Sequence, residues 1–84
     1  MNLKPFMNPD VISVKALQDY KLLVEFETGE RRRFDVEPLL ELPVYQRLRK
    51  ANYFASARVE NGTVVWDEHC DLSPDSIYLQ GEPV

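Results

Sequence analysis

VISVKALQDYKLLVEFETGERRRFDV, residues 11–36, is the stretch that decides the fold. Val11 to Gln18 is rich in β-branched residues, and Ile12, Val14 and Ala16 alternate with Ser13, Lys15 and Leu17. That two-residue period is the mark of a strand with one face inward. Asp19-Tyr20 reads as a short turn. Lys21 to Glu27 repeats the pattern, with Leu22, Val24 and Phe26 on one face and Leu23, Glu25 and Glu27 on the other. Thr28-Gly29-Glu30 is a hairpin connection in which glycine can take a positive φ. Arg31 to Val36 is the third strand. The expectation is an antiparallel three-strand meander.

Downstream, Pro38 ends the third strand, and Leu39, Leu40 and Leu42 make a dense apolar patch on a short turn or helical segment. Pro43 suits the first turn of a helix, where its missing donor costs nothing. Val44 and Leu48 share a face, Arg47, Arg49 and Lys50 favour a helix C-terminus, and Asn52 is the stop. This helix is expected to lie across one face of the sheet. Tyr53 to Glu60 reads as a fourth strand and Thr63 to Asp67 as a fifth, joined by Asn61-Gly62, a strong hairpin signal. Ser73-Pro74-Asp75 supplies a cap, a first-turn proline and an early acid, so a short C-terminal helix follows. The fold class expected is α+β: a three-strand meander, one helix packed on the sheet, a further β-hairpin and a short C-terminal helix. Residues 1–10 read as an irregular N-terminal arm, 11–80 as one domain and 81–84 as a tail.

The ordered signals resemble a known family, the small bacterial domain of unknown function 2442. The resemblance rests on Asp19-Tyr20-Lys21-Leu22-Leu23, Phe26 with Gly29-Glu30, and Phe34-Asp35-Val36 with Pro38-Leu39-Leu40. It continues through Phe54, Gly62-Thr63-Val64 with Trp66, and Asp71-Leu72-Ser73-Pro74-Asp75 with Ile77-Tyr78. It implies a compact α+β domain and no established activity. Members resembling this chain stand alone or are joined to a helix-turn-helix, and some sit beside another small reading frame, which implies a toxin–antitoxin or regulatory pairing. The family's usual Pro-Asn turn after the tryptophan is replaced here by Asp67-Glu68-His69-Cys70, so a site in that turn would be particular to this chain.

Composition bounds the remaining choices. A chain of 84 residues fits one domain and buries only ~60–65% of its unfolded surface, so a partner would add stability. A net charge of −4 disfavours a nucleic-acid binder, which needs clustered Lys and Arg. One cysteine, Cys70, cannot form an internal disulfide. No apolar run approaches the ~20 residues that span a bilayer, and Met1 to Asp10 has no signal-peptide core. The compartment expected is the cytoplasm, without membrane association.

Asp67 to Asp71 holds the sole histidine and cysteine. A zinc site needs three or four ligands, and adjacent residues of an extended segment point apart. A polar turn is therefore preferred, and no metal or cofactor is expected. Arg31-Arg32-Arg33 is the one basic run. Arg31 and Arg33 share a face that Arg32 does not, and Glu25, Glu27 and Glu30 stand ready to pair with them. Asp35 and Asp71 precede Pro38 and Pro74 and read as caps rather than an acid–base pair.

Catalysis is not expected. The reading is a non-catalytic protein-interaction module, antitoxin-like or a regulatory partner of a small neighbouring protein, with homodimerisation as a further state. Its contacts would come from Phe6 and Met7 of the arm, Arg31 and Arg33, and the rings of Tyr45, Tyr53 and Trp66, since Tyr and Trp dominate binding hot spots. The alternative is a nucleic-acid-binding accessory domain using Arg31 to Arg33 with Arg47, Arg49 and Lys50. It requires those groups to share one surface.

Overall fold

The alternation in residues 11–36 places Leu22, Val24 and Phe26 on a common face, and all three are fully buried in the computed structural model, which describes residues 8–84. Burying each contributes roughly 1.5–3 kcal/mol. The strands are β1 (Val11–Ala16), β2 (Lys21–Phe26) and β3 (Arg31–Asp35), paired as an antiparallel meander. Val14, Val24 and Arg32 lie in one cross-strand row on the inner face, and Lys15, Leu23 and Arg33 in the next row on the outer face.

Residues 37–57 depart from the sequence reading. The apolar patch from Leu39 falls on a short 3-10 segment, Glu37–Glu41, but in place of one helix from Pro43 to Asn52 there are a second 3-10 segment, Pro43–Arg49, and a single α-helical turn α1 (Ala51–Phe54). The two prolines explain the break. Each lies in the first turn of a short segment, and Leu42 before Pro43 is held extended (φ −80°, ψ 137°). Lys50 is extended again (φ −78°, ψ 117°), which separates α1. The broken path still buries Leu40, Leu48 and Phe54. The expected fourth strand from Tyr53 shrinks to β4 (Arg58–Glu60). Tyr53 and Phe54 favour strands by type, but α1 claims them because Phe54 must turn inward against Trp66, with ring centroids 6.1 Å apart.

The second sheet is β4, β5 (Thr63–Asp67) and β6 (Cys70–Leu72) in that order. β6 begins inside Asp67 to Asp71, where the sequence pattern predicts a polar turn. Cys70 and Leu72 are buried there, and that burial forms the strand. α2 (Pro74–Gln80) begins as read, with the Ser76 N–H donating to Ser73 Oγ at 3.2 Å. The supposed tail contributes β7 (Glu82–Pro83), which pairs with Arg33 and Arg32 of β3. The first sheet is thus ordered β1-β2-β3-β7. The helix lying against it is α2, whose Ile77 is buried and whose Tyr78 packs edge-on against Phe26. The sheets meet where the Val11 N–H donates to the Gly62 carbonyl at 3.0 Å. One core of Val11, Phe26, Leu48, Val64, Trp66 and Ile77, among others, fills the space between them.

Candidate interaction site at the Tyr20 turn

The connection from β1 to β2 is strained. Lys21 N–H closes on the Gln18 carbonyl around Asp19 and Tyr20, and both of these have φ of 60°. Positive φ at both central positions is the signature of a type I′ turn, which favours Asn-Gly. Tyrosine pays roughly 1 kcal/mol or more for that conformation. Three tethers hold it. The Tyr20 hydroxyl donates to the Arg49 carbonyl at 2.5 Å, its ring meets Phe54 edge-on at 5.2 Å, and its carbonyl accepts from the Val36 N–H at 2.9 Å. The turn is therefore pinned to the crossing segment and to the end of β3.

Beside this turn lies a cleft of about 450 Å³. The end of β1 supplies Ala16, the following residue is Leu17, the turn supplies Asp19 and Tyr20, and α1 supplies Ala51 and Phe54. Glu37 stands on its rim, and no lysine or arginine lines it. Ala16, Leu17 and Tyr20 are half-buried while Asp19 and Glu37 are exposed. The result is an apolar wall with two carboxylates. A second cleft of about 440 Å³ shares Tyr20 and Glu37 but adds Arg49 and Glu41.

The basic run does not form one surface. Arg31 and Arg33 point outward, each facing a carboxylate: Glu25 at 3.9 Å and Glu82 at 3.7 Å. Lys21 faces Asp35 at 3.9 Å on the same side. Arg32 turns inward, 4.5 Å from the centroid of the Tyr78 ring and 3.2 Å from Glu30. The Tyr78 hydroxyl donates to both oxygens of Glu30, at 2.8 and 3.0 Å, and holds that carboxyl below its ordinary pKa. The same bond pushes the Tyr78 phenol up. Arg47 belongs elsewhere, bonded to Asp67 at 3.0 Å.

The aromatic residues divide likewise. Trp66 is 2% exposed and its indole N–H donates to the Phe54 carbonyl at 2.9 Å, so the expectation of a surface ring fails there. Tyr45 and Tyr53 are half-buried, their hydroxyls donating to the Asp71 carbonyl and the Asp67 carboxylate. Asp67 also accepts the His69 N–H at 2.7 Å. Tyr53 first, then that N–H, with Arg47 adding, hold the Asp67 carboxyl at about 2. Phe6 and Met7 lie outside the described residues.

The remaining motif residues lie as follows in the fold. Asp35 accepts the Glu37 N–H at 3.0 Å just before Pro38. Pro74 is at the start of α2, but its cap is Ser73, and Asp71 is an exposed β6 residue. His69 is exposed whereas Cys70 is fully buried, its Sγ 3.7 Å from the Val44 carbonyl oxygen. Burial pushes the Cys70 thiol pKa up, away from the thiolate. Among the described residues no group of three or more His, Cys, Asp or Glu side chains could hold a metal ion. No helix among them is long and apolar enough to cross a membrane.

By local pattern alone Asp19-Tyr20 is an ordinary short turn and Phe54 a strand residue. The available signal was the absence of glycine from a tight hairpin connection, which requires some distant group to hold the turn.

The profile of a family described as protein of unknown function (DUF2442) matches residues 11–83. A crystal structure from Nitrosomonas europaea, described as that of a "putative DNA binding protein", superposes with a TM-score of 0.74 at 27% identity. The match covers 84% of this chain and 47% of that one, so the chain spans about half of that protein's length. No curated protein matches.

Proposed function

We propose a protein-interaction role for this chain, which belongs to the DUF2442 family of proteins of unknown function. It acts as a non-catalytic module that receives a small basic partner protein, in the manner of an antitoxin or regulatory subunit. The observation that carries this reading is the Tyr20 cleft. A left-handed tyrosine is kept in a costly conformation by three tethers, and beside it lies an apolar hollow rimmed by Asp19 and Glu37. Strain held by surrounding structure concentrates at ligand clamps and switch regions. The acidic balance of −4 adds long-range attraction for a basic partner and speeds encounter.

A second reading has one observation in its favour, the DNA-binding description of the Nitrosomonas protein. The outer sheet face does carry Lys15, Lys21, Arg31 and Arg33. Glu25, Asp35 and Glu82 are interleaved with them, so an approaching phosphate meets alternating signs.

The test is co-expression with the products of adjacent reading frames, followed by cross-linking mass spectrometry of the purified complex. A stoichiometric complex with a basic protein, cross-linked through residues 16–20 or 51–55, is the expected result. Recovery of this chain alone, together with a duplex-DNA mobility shift at low salt that fades as salt rises, would replace the first reading with the second.

A further inference from the structure

From the same cleft we infer the chemistry of its occupant: one lysine or arginine side chain of the partner, laid along the apolar wall with its cationic head between Asp19 and Glu37. The inference rests on the protein-interaction reading. Shape argues first. At about 450 Å³ the cleft is an open hollow with room for one long side chain. Its wall consists of short aliphatic groups and two rings: Ala16, Leu17, Ala51, Tyr20 and Phe54. An aliphatic stem of three or four methylenes fits such a wall while its charged end stays wet.

Charge argues second. The carboxylates of Asp19 and Glu37 carry the charge of the cleft, and no cation lines it. Their oxygens have no ion pair or side-chain hydrogen-bond donor among the described residues, in contrast to the carboxylates of Glu30, Glu60 and Asp67. A cation brought here therefore meets two carboxylates beside a half-buried tyrosine, a ring type that attracts positive charge. The adjoining cleft shares Tyr20 and Glu37 and adds Glu41, but it is also lined by Arg49, which repels the same head group. That difference selects the Asp19 side.

The turn gives the site its rigidity. Tyr20 cannot swing away without losing the Arg49 bond and the Phe54 contact, so the wall is pre-formed before the partner arrives.

The experiment is an amide-resolved NMR titration of the whole chain with acetyl-Leu-Arg-Leu-amide and, separately, acetyl-Leu-Glu-Leu-amide. The arginine peptide should shift the amides of Leu17, Gln18, Ala51 and Ala55, and the glutamate peptide should not. Asp19→Asn with Glu37→Gln should weaken the arginine peptide about fivefold, a size set by two exposed ion pairs. Asparagine tolerates the left-handed turn, so the variant keeps the fold, and an otherwise unchanged spectrum verifies it. Equal shifts from both peptides, shifts centred elsewhere, or unaltered affinity in the variant would overturn the inference. Failure here is separable from failure of the broader reading. A partner cross-linked to another face removes this pocket and leaves the module, whereas peptide binding without any partner does the reverse.

Discussion

Two tight turns of this molecule have the same backbone signs and opposite causes. Asn61-Gly62 joins β4 to β5 with φ of 52° and 77°, and Asp19-Tyr20 joins β1 to β2 with φ of 60° at both residues. The first is built from residues that accept left-handed backbone, so the local sequence is sufficient. The second is built from residues one of which resists it, so the rest of the fold must hold it. Local chemistry makes a turn that only connects. A turn maintained against local preference depends on contacts that reach it from elsewhere in the fold.

The sharpest way to break the first turn is Gly62→Ala. A Cβ there would lie 2.5 Å from Asp10 Cγ and 2.7 Å from Asp10 Cβ, on a backbone with φ of 77°. Asp10 directly precedes Val11, whose N–H pairs with the Gly62 carbonyl, so the two sheets would have to separate. We expect a loss of about 2–3 kcal/mol, combining backbone strain with the clash. Urea denaturation reads it as a lowered midpoint at constant slope. Gly29→Ala is the internal control: its φ is 90° but nothing lies within 4 Å, so strain alone acts and the loss is smaller.

The second turn is tested by giving it the residues of the first. Asp19→Asn with Tyr20→Gly relieves the left-handed penalty of roughly 1 kcal/mol. It also removes the Tyr20 hydroxyl bond to Arg49, worth about 1 kcal/mol, and the ring packed on Phe54, worth about 2 kcal/mol of buried area. The net expectation is a loss of about 1–2 kcal/mol in the same denaturation assay, even though the turn itself becomes easier. A gain in stability would mean that the tethers are weak and the turn carries no purpose beyond connection.

The contrast also explains how far the sequence could be read. The meander from Val11 to Asp35 was legible because period-two alternation acts within a few residues. Asn61-Gly62 and the Ser73 cap were legible for the same reason. Pro38 and Pro43 were seen as punctuation, but not that two prolines five apart would reduce a helix to 3-10 segments. β6 was hidden because Cys70 and Leu72 are buried by β5 and the crossing segment, which the words Asp67 to Asp71 do not show. The candidate site was hidden most deeply. Tyr20, Phe54 and Glu37 converge only after the chain has crossed the domain, and neither Tyr20 nor Phe54 takes part in an ion pair that composition would suggest.

The smallest effect belongs to a third connection, Asp67 to Cys70, which sits between the two extremes. Its Asp67 side chain accepts the His69 N–H locally and the Tyr53 and Arg47 groups from the crossing segment. These hold the carboxyl at about 2, below its ordinary value of 3.8. A carboxyl depressed by folding stabilises the native state while ionised, so its contribution is present above pH 4 and is lost as pH falls toward 2. Glu30 is lowered as well, chiefly by Tyr78, and adds a slope of the same sign. Asp67→Asn removes only the first contribution. Stability of the variant, followed by denaturant midpoints from pH 6 to pH 2, should therefore fall less steeply below pH 4 than that of the unaltered chain. Parallel curves would show that the Asp67 bonds exchange with water, and that the β5–β6 turn, like Asn61-Gly62, is secured by its own backbone rather than from across the domain.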